Sequence, residues 1–300
     1  MHLRKSLFLG VVAFVLLPMI AMAQVDSLRS RIATISQAAG GKIGVAVLGL
    51  ESGDTFSQNG TGHFVMQSVF KFPLAFYVLH LVDSGKLSLD SMIHVTRRDL
   101  PEDTYSPLRD KYPKRNINIS IRDLLSYSVS QSDNNATDIL FRVIKGPIKV
   151  QNYIRSLGIK DIAIVRTEAE MHGPWSVQFQ NWCEPVAMIA LLKVFFERKY
   201  LSPQSSDLLW KLMTETTTGE RRIKGLLPEG TSVAHKTGTS GSNGKGLYAA
   251  LNDVGIVTLP NGKHFAIVVY VSMSKLDIDA RETVIAKIAK AVWDYYVNAH

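Results

Sequence analysis

Apolar positions along the chain run in two periods, and the changes between them predict the elements. "DSLRSRIATISQAAGG" puts Leu28, Ile32 and Ile35 on one helical face and ends in glycines. "KIGVAVLGLESGDTFS" then reads as a strand, a Ser-Gly-Asp turn and the start of a second strand. A long middle section is helical in pattern: "FKFPLAFYVLHLVDSG", "SIRDLLSYSVS", "NNATDILFRVI", "VQNYIRSLG" and "EPVAMIALLKVFFERK". Strands return in "TSVAHKTGTS", "GLYAALNDVGIVTL" and "KHFAIVVYVSMS", the last two joined at Pro260-Asn261-Gly262. A final helix carries Ile285, Ile288, Val292 and Tyr295 along one stripe. Strands at both ends with helices between predict an α+β fold. Both chain ends, about 24–62 and 217–300, would form one antiparallel sheet flanked by helices, and an all-α lobe, about 63–216, would be inserted as part of the same domain. A cleft between the lobes is the natural place for a ligand.

The first residues change the picture of where the protein acts. His2, Arg4 and Lys5 precede an apolar run from Leu7 to Ile20, and Ala21-Met22-Ala23 offers a small-x-small cleavage site before Gln24. Residues 1–23 therefore read as an export signal, cut between Ala23 and Gln24, for a secreted or periplasmic protein with no stable membrane insertion afterwards. The run is short for a membrane span, and no later stretch is long and apolar enough to be one. The formal charge of +8 falls to about +6 without the signal and is spread thinly. With no basic block and no nucleic-acid motif, the charge suits an exported protein that meets anionic small molecules or an anionic envelope, not nucleic acid. Cys183 is the only cysteine, so no intrachain disulfide is available and the fold rests on its core. Nothing in the chain calls for more than a monomer.

Three short stretches carry chemistry. "SVFK" sets Ser68 and Lys71 three residues apart ahead of an apolar helix, a spacing that puts both on one face of a first helical turn. A serine hydroxyl needs a base to become a nucleophile, and a lysine serves only if its surroundings lower its pKa. A pair of this kind is common by chance. "SDN", Ser132-Asp133-Asn134, lies between two helical stretches, where it also suits a helix cap. "HKTG" puts Lys236-Thr237-Gly238 on a predicted strand. Each is unremarkable alone; the set, in this order and these contexts, is hard to reach by chance.

With these motifs the chain resembles the penicillin-recognising serine enzymes, and specifically the class A serine β-lactamases. The likeness covers essentially the whole mature chain, including "LLPEG" before the Lys-Thr-Gly strand and "TYSP", Thr104 to Pro107. "QNW", His172 and extra residues between Ser68 and Ser132 place it nearest the PER-type branch. The resemblance implies that Ser68 attacks the lactam carbonyl and that Lys71 helps take its proton. Ser132 would pass that proton to the lactam nitrogen, with Lys236 lowering its pKa. The backbone N–H groups of Ser68 and Thr239 would form the oxyanion hole. Asn134 would bind the acylamide, while Lys236, Thr237, Gly238 and Thr239 bind the carboxylate side. Arg222 aligns with a carboxylate-binding arginine, with Thr218 nearby, and Tyr105 would wall the cleft. No cofactor is implied. The PER-type likeness also implies turnover of bulky oxyimino cephalosporins.

Acylation alone does not make a hydrolase: a penicillin-binding D,D-peptidase or a β-lactam receptor carries comparable parts. What separates them is a base for the deacylating water, and "RTEAEMH" supplies the candidate. By the resemblance, Glu168 is that base, with Arg166 two residues before it. His172 stands where an asparagine usually helps to hold the water, and Asn181 stands where the usual aspartate pairs with the arginine. Read as an extended segment, the stretch points Glu168 and Glu170 to opposite sides. The remaining histidines, His63, His80, His94, His235 and His264, are scattered, so no metal site is expected. Glu170 is expected to be solvated and Cys183 to pack as a small apolar residue.

Overall fold

The alternation in "KIGVAVLG" becomes a strand whose two faces are both covered, and this decides the architecture. The structure is a computed structural model describing residues 25–299. The expected export signal and cleavage point, residues 1–23, lie outside the described residues. In chain order, helix α1 (25–37) precedes strands β1 (Lys42–Gly49), β2 (Thr55–Gln58) and β3 (Phe64–Val65). A 3-10 turn (Gln67–Phe70) leads into α2 (Lys71–Asp83). Next come β4 (Met92–Val95), α3 (Pro107–Lys111), β5 (Ile117–Ser120), α4 (Ile121–Ser130), α5 (Asn134–Ile144) and α6 (Ile148–Ser156). The chain continues through β6 (Ile162–Ala163), α7 (Glu168–Met171), β7 (Trp182–Cys183), α8 (Pro185–Phe196) and α9 (Pro203–Thr214). It closes with β8 (Val233–Thr239), β9 (Tyr248–Thr258), β10 (His264–Ser274) and α10 (Ile278–Ala299).

The main sheet is antiparallel in the order β2-β1-β10-β9-β8. β1 pairs directly with β10, Val45 opposite Val269, so the two ends of the chain do meet in one sheet. Alternate residues serve two cores. Val45, Val47, Val269 and Val271 pack with Ile32, Ile285, Ile288 and Val292 from α1 and α10. Ala46, Val254, Val268 and Tyr270 pack with Phe64, Phe70 and Phe72 and the helices between β2 and β8. A sheet covered on both faces explains why β9 and β10 read as continuous apolar runs.

The short pairs β4–β5, β3–β7 and β6–β7 were not predicted, nor was α9. Two-residue strands are too short to show a period. α9 hides its signal in "PQSSDLLWKLMT", a polar first turn capped by the Ser202 hydroxyl, which accepts from the Ser205 N–H.

Candidate active site

The Ser68 elbow is built by strain and by close backbone packing. Ser68 lies in the 3-10 turn, one step ahead of the helix, and Lys71 is the first residue of α2. The sequence reading had set both on one α-helical turn. Gln67 beside Ser68 has φ +47° and Ser132 has φ +56°, left-handed values that side chains normally avoid. Two strained positions therefore flank the nucleophile candidate. The Lys71 ammonium is wholly buried and fully engaged. It donates to Ser132 O at 2.7 Å and Asn134 Oδ1 at 2.6 Å, and it pairs with Glu168 Oε1 at 2.9 Å. Ser68 Oγ donates to the same Glu168 oxygen at 3.4 Å. One carboxylate thus bridges the hydroxyl and the ammonium.

β8 forms the opposite wall. Alternation sends Lys236 toward the cleft, where Nζ donates to Ser132 Oγ at 2.9 Å. Burial, and next the charge of Lys71, hold Lys236 well below the ordinary lysine value. Thr237 Oγ1 lies 2.6 Å from Thr218 Oγ1. Gly238 is required by contact: an added Cβ would fall 2.3 Å from Met66 O and 3.3 Å from Ser68 N. That closeness brings the backbone of Thr239 alongside Ser68. Arg222 is buried beneath the strand and not solvated. It donates through Nη2 to Thr239 Oγ1 at 2.7 Å and through Nη1 to Asn252 O at 3.0 Å, and Glu282 of α10 braces its Nε at 3.2 Å. Tyr105 sits at the rim with its side chain exposed, and its carbonyl accepts from Asn134 N.

The third wall is a loop held by side chains. "RTEAEMH" is not extended: Thr167 and Glu170 form a reciprocal capping box that winds α7. The divergence of the two glutamates survives this change. Glu168 is buried against Lys71, while Glu170 caps the turn and pairs with Arg166 at 3.0 Å, so it is not merely solvated. Arg166 Nε donates to Gln180, and its guanidinium does not reach Asn181. Asn181 is buried and staples backbone instead, accepting from Val165 N and Arg166 N and donating to Arg166 O.

His172 makes a contact through each ring nitrogen. Nδ1 lies 2.8 Å from the main-chain carbonyl of Glu168, and Nε2 lies 3.3 Å from Thr104 Oγ1. A carbonyl only accepts, so Nδ1 donates to it, while Nε2 meets the Thr104 hydroxyl, which can take either role. Thr104 in turn accepts from Asn134 Nδ2 at 2.8 Å. Both ring nitrogens are occupied, and the imidazole anchors the turn that carries Glu168.

Sequence reasoning missed Asp138. Its carboxylate accepts from Glu168 N and Ala169 N, both at 2.8 Å, and so fixes the start of α7 from the side of α5. Burial, opposed by the Ala169 N–H and aided by the charge of Glu168, pushes it up to about 6. A signal was present, since Asp138 is four residues after Asn134 and shares its helical face. Gln67 and Gln178 were missed as well: their amides meet at 2.7 Å, tying the elbow to the loop. Among the described residues, no group of three or more His, Cys, Asp or Glu is arranged to hold a metal. Cys183 is buried among the apolar residues of the core, as expected.

Residues 27–296 match the family model of the Beta-lactamase enzyme family. VEB-1 from Pseudomonas aeruginosa is 42% identical over 99% of this chain and 100% of its own. The extended-spectrum β-lactamase PER-1, from the same organism, is 42% identical over 91% and 88% respectively. The crystal structure of a representative class A β-lactamase from Bacteroides cellulosilyticus superposes with a TM-score of 0.88 at 38% identity, covering 92% of this chain and 99% of that one. The chain belongs to the class A β-lactamases. It is a β-lactam hydrolase with the α+β fold of that family, and the cleft between β8, the Ser68 elbow and the Glu168 loop is its candidate active site. A cavity of about 440 Å³ opens there, lined by Ser68, Asn134, Glu168 and Thr239 and reaching to Trp175 and Gly244. Among the described residues, no helix is long and apolar enough to cross a membrane.

Proposed function

We propose that this β-lactamase hydrolyses penicillins and cephalosporins through an acyl-enzyme on Ser68, and that Glu168 is the base for the water that releases it. The observation carrying this reading is the shared Glu168 oxygen, 3.4 Å from Ser68 Oγ and 2.9 Å from Lys71 Nζ. Ser68 Oγ attacks the lactam carbonyl as its proton passes to the Glu168–Lys71 pair. The carbonyl oxygen becomes an oxyanion facing the N–H groups of Ser68 and Thr239. The C–N bond breaks, and the nitrogen takes a proton from Ser132 Oγ, which the contact with Lys236 poises for this transfer. The proton first taken from Ser68 passes through Lys71 to Ser132, leaving Glu168 ionised again. Glu168 then draws a proton from water, hydroxide adds to the ester, and Ser68 leaves with a proton.

Asn134 receives the acylamide, and Lys236, Thr237 and Thr239, with Arg222 behind them, receive the carboxylate. Tyr105 lines the rim. Arg166, Asn181 and His172 act by shaping the loop. The extended-spectrum character in the name of PER-1 supports oxyimino cephalosporins as substrates. Export by the signal at residues 1–23 and action as a monomer complete the reading.

The test uses nitrocefin and a D-Ala-D-Ala peptide with wild type and Glu168→Ala. Many nitrocefin turnovers by wild type are expected, with the variant trapped as an acyl-enzyme of added mass and turning over at least about a thousandfold more slowly. A single stoichiometric burst from wild type would overturn the reading, with peptide hydrolysis then marking a D,D-peptidase and its absence a receptor.

A further inference from the structure

The cavity is lined by more than the catalytic groups, and the rest of its lining has a definite chemistry. On one side Ser240, Gly241, Ser242, Asn243 and Gly244 form a wall of backbone and small polar side chains. A Cβ added at Gly241 or Gly244 would meet nothing within 4 Å, so this wall stands clear of its neighbours. Facing the same space from the Glu168 loop is Trp175, the one large aromatic side chain that lines the cavity.

Trp175 is held in place from two directions. Its carbonyl accepts from Gln178 Nε2 at 3.0 Å, and Gln178 Oε1 accepts from Gln67 Nε2 at 2.7 Å, directly beside Ser68. Its indole packs edge-to-face on Phe179, with centroids 5.9 Å apart. The ring is only partly buried, although a large apolar surface normally seeks cover. A fixed, half-covered indole in a mainly polar ligand cavity is a stacking surface waiting for a planar group.

We infer that Trp175 binds the planar ring at the end of the substrate's acyl side chain and makes this enzyme selective for β-lactams that carry one. The inference rests on the hydrolase reading above and adds a specificity residue to it. Asn134 holds the acylamide at one end of the cavity, and a ring on a short linker beyond that amide enters the gap between Trp175 and the 240–244 wall. The Gln67–Gln178 bridge keeps the indole in register with the nucleophile. No bond is made or broken at Trp175; it contributes stacking, so its effect belongs in binding and in the acylation step.

The test compares two cephalosporins with the same nucleus: cefotaxime, which bears an aminothiazole ring, and 7-acetamidocephalosporanic acid, which bears only an acetyl group. The readout is the ratio of kcat/KM between them for wild type, Trp175→Ala and Trp175→Phe, with folding checked by near-ultraviolet circular dichroism. In Trp175→Ala the ratio falls about tenfold, chiefly through KM for cefotaxime, and Trp175→Phe restores most of it. A ratio that stays constant, whether both substrates lose activity together or neither does, overturns the inference and leaves Trp175 a loop-packing residue. Failure of wild type to turn over either compound would instead overturn the hydrolase reading beneath it.

Discussion

Two walls of the same cleft are built on opposite principles. The β8 wall is a strand with seven register positions against β9, and its functional groups alternate because the strand does. The Glu168 loop has only two short helical turns, α7 and a 3-10 turn at Val177–Gln180, and its shape depends on separate side-chain anchors: Asp138 on two N–H groups, Asn181 on a backbone staple, and His172 on a carbonyl. A ladder spreads a local loss over many bonds, whereas an anchored loop concentrates it at one. Damage to the strand should therefore impair folding and acylation together, and damage to a loop anchor should act mainly on deacylation.

The largest effect that sharpens this contrast is expected at Gly238→Ala. A Cβ 2.3 Å from Met66 O forces β8 off the elbow. We expect a loss of about 2 kcal/mol in stability and at least about a hundredfold in kcat/KM, with no build-up of acyl-enzyme. Urea unfolding and quenched-flow mass spectrometry check this. Normal acylation in the variant would break the comparison.

Asp138→Asn comes next. The amide accepts from only one of the two N–H groups and turns a donor toward the other. Deacylation should slow by about thirtyfold while acylation changes within a few fold, so acyl-enzyme accumulates. The same variant reports on pH. Because Asp138 is raised from 3.8 to about 6 in the folded state, it favours folding below about pH 4, and that contribution fades as pH rises through about 6. The stability of wild type relative to Asp138→Asn should fall by about 2 kcal/mol between pH 4 and pH 7, as read from urea midpoints. A pH-independent difference would show that Asp138 is not the titrating anchor.

The smallest effect is expected at Arg166→Ala. Its side chain is only partly buried and meets Gln180 and Glu170, not the buried Asn181. Stability should drop by less than about 1 kcal/mol, and kcat/KM should stay within threefold. A larger loss would mean that the loop depends on this arginine despite its exposure.

The contrast between the walls also explains what the sequence made legible. β8, β9 and β10 were readable as strands, and Lys236-Thr237-Gly238 followed from a motif whose residues touch the cleft in strand order. Ser68, Lys71, Ser132, Asn134 and Glu168 were legible as short motifs, and the fold joins the side chains of Ser68, Lys71, Asn134 and Glu168, with the Ser132 carbonyl on Lys71 and its hydroxyl on Lys236. The anchors were not legible in this way. Thr104 reaches His172, Gln67 reaches Gln178 and Asp138 reaches Glu168 across long stretches of chain, and no local period marks such a pairing. The particular contacts of Arg166 and Asn181 were hidden for a related reason. Their proximity was expected, but proximity does not say whether a side chain meets a side chain or a backbone. Only Asp138 left a local trace, in its spacing from Asn134.

The pairing of β1 with β10 sets a timetable for the molecule. A ribosome releases the amino end first, so β1 emerges long before its main partner has been made. Until then β1 and β2 have only each other, a two-stranded ribbon that is marginal in water. The long-range pairing that builds the sheet must wait for the last strands, and such pairing is slow to form. β8, one wall of the cleft, joins β1 only through β9 and β10, so the sheet that carries the cleft closes only once β10 has been made.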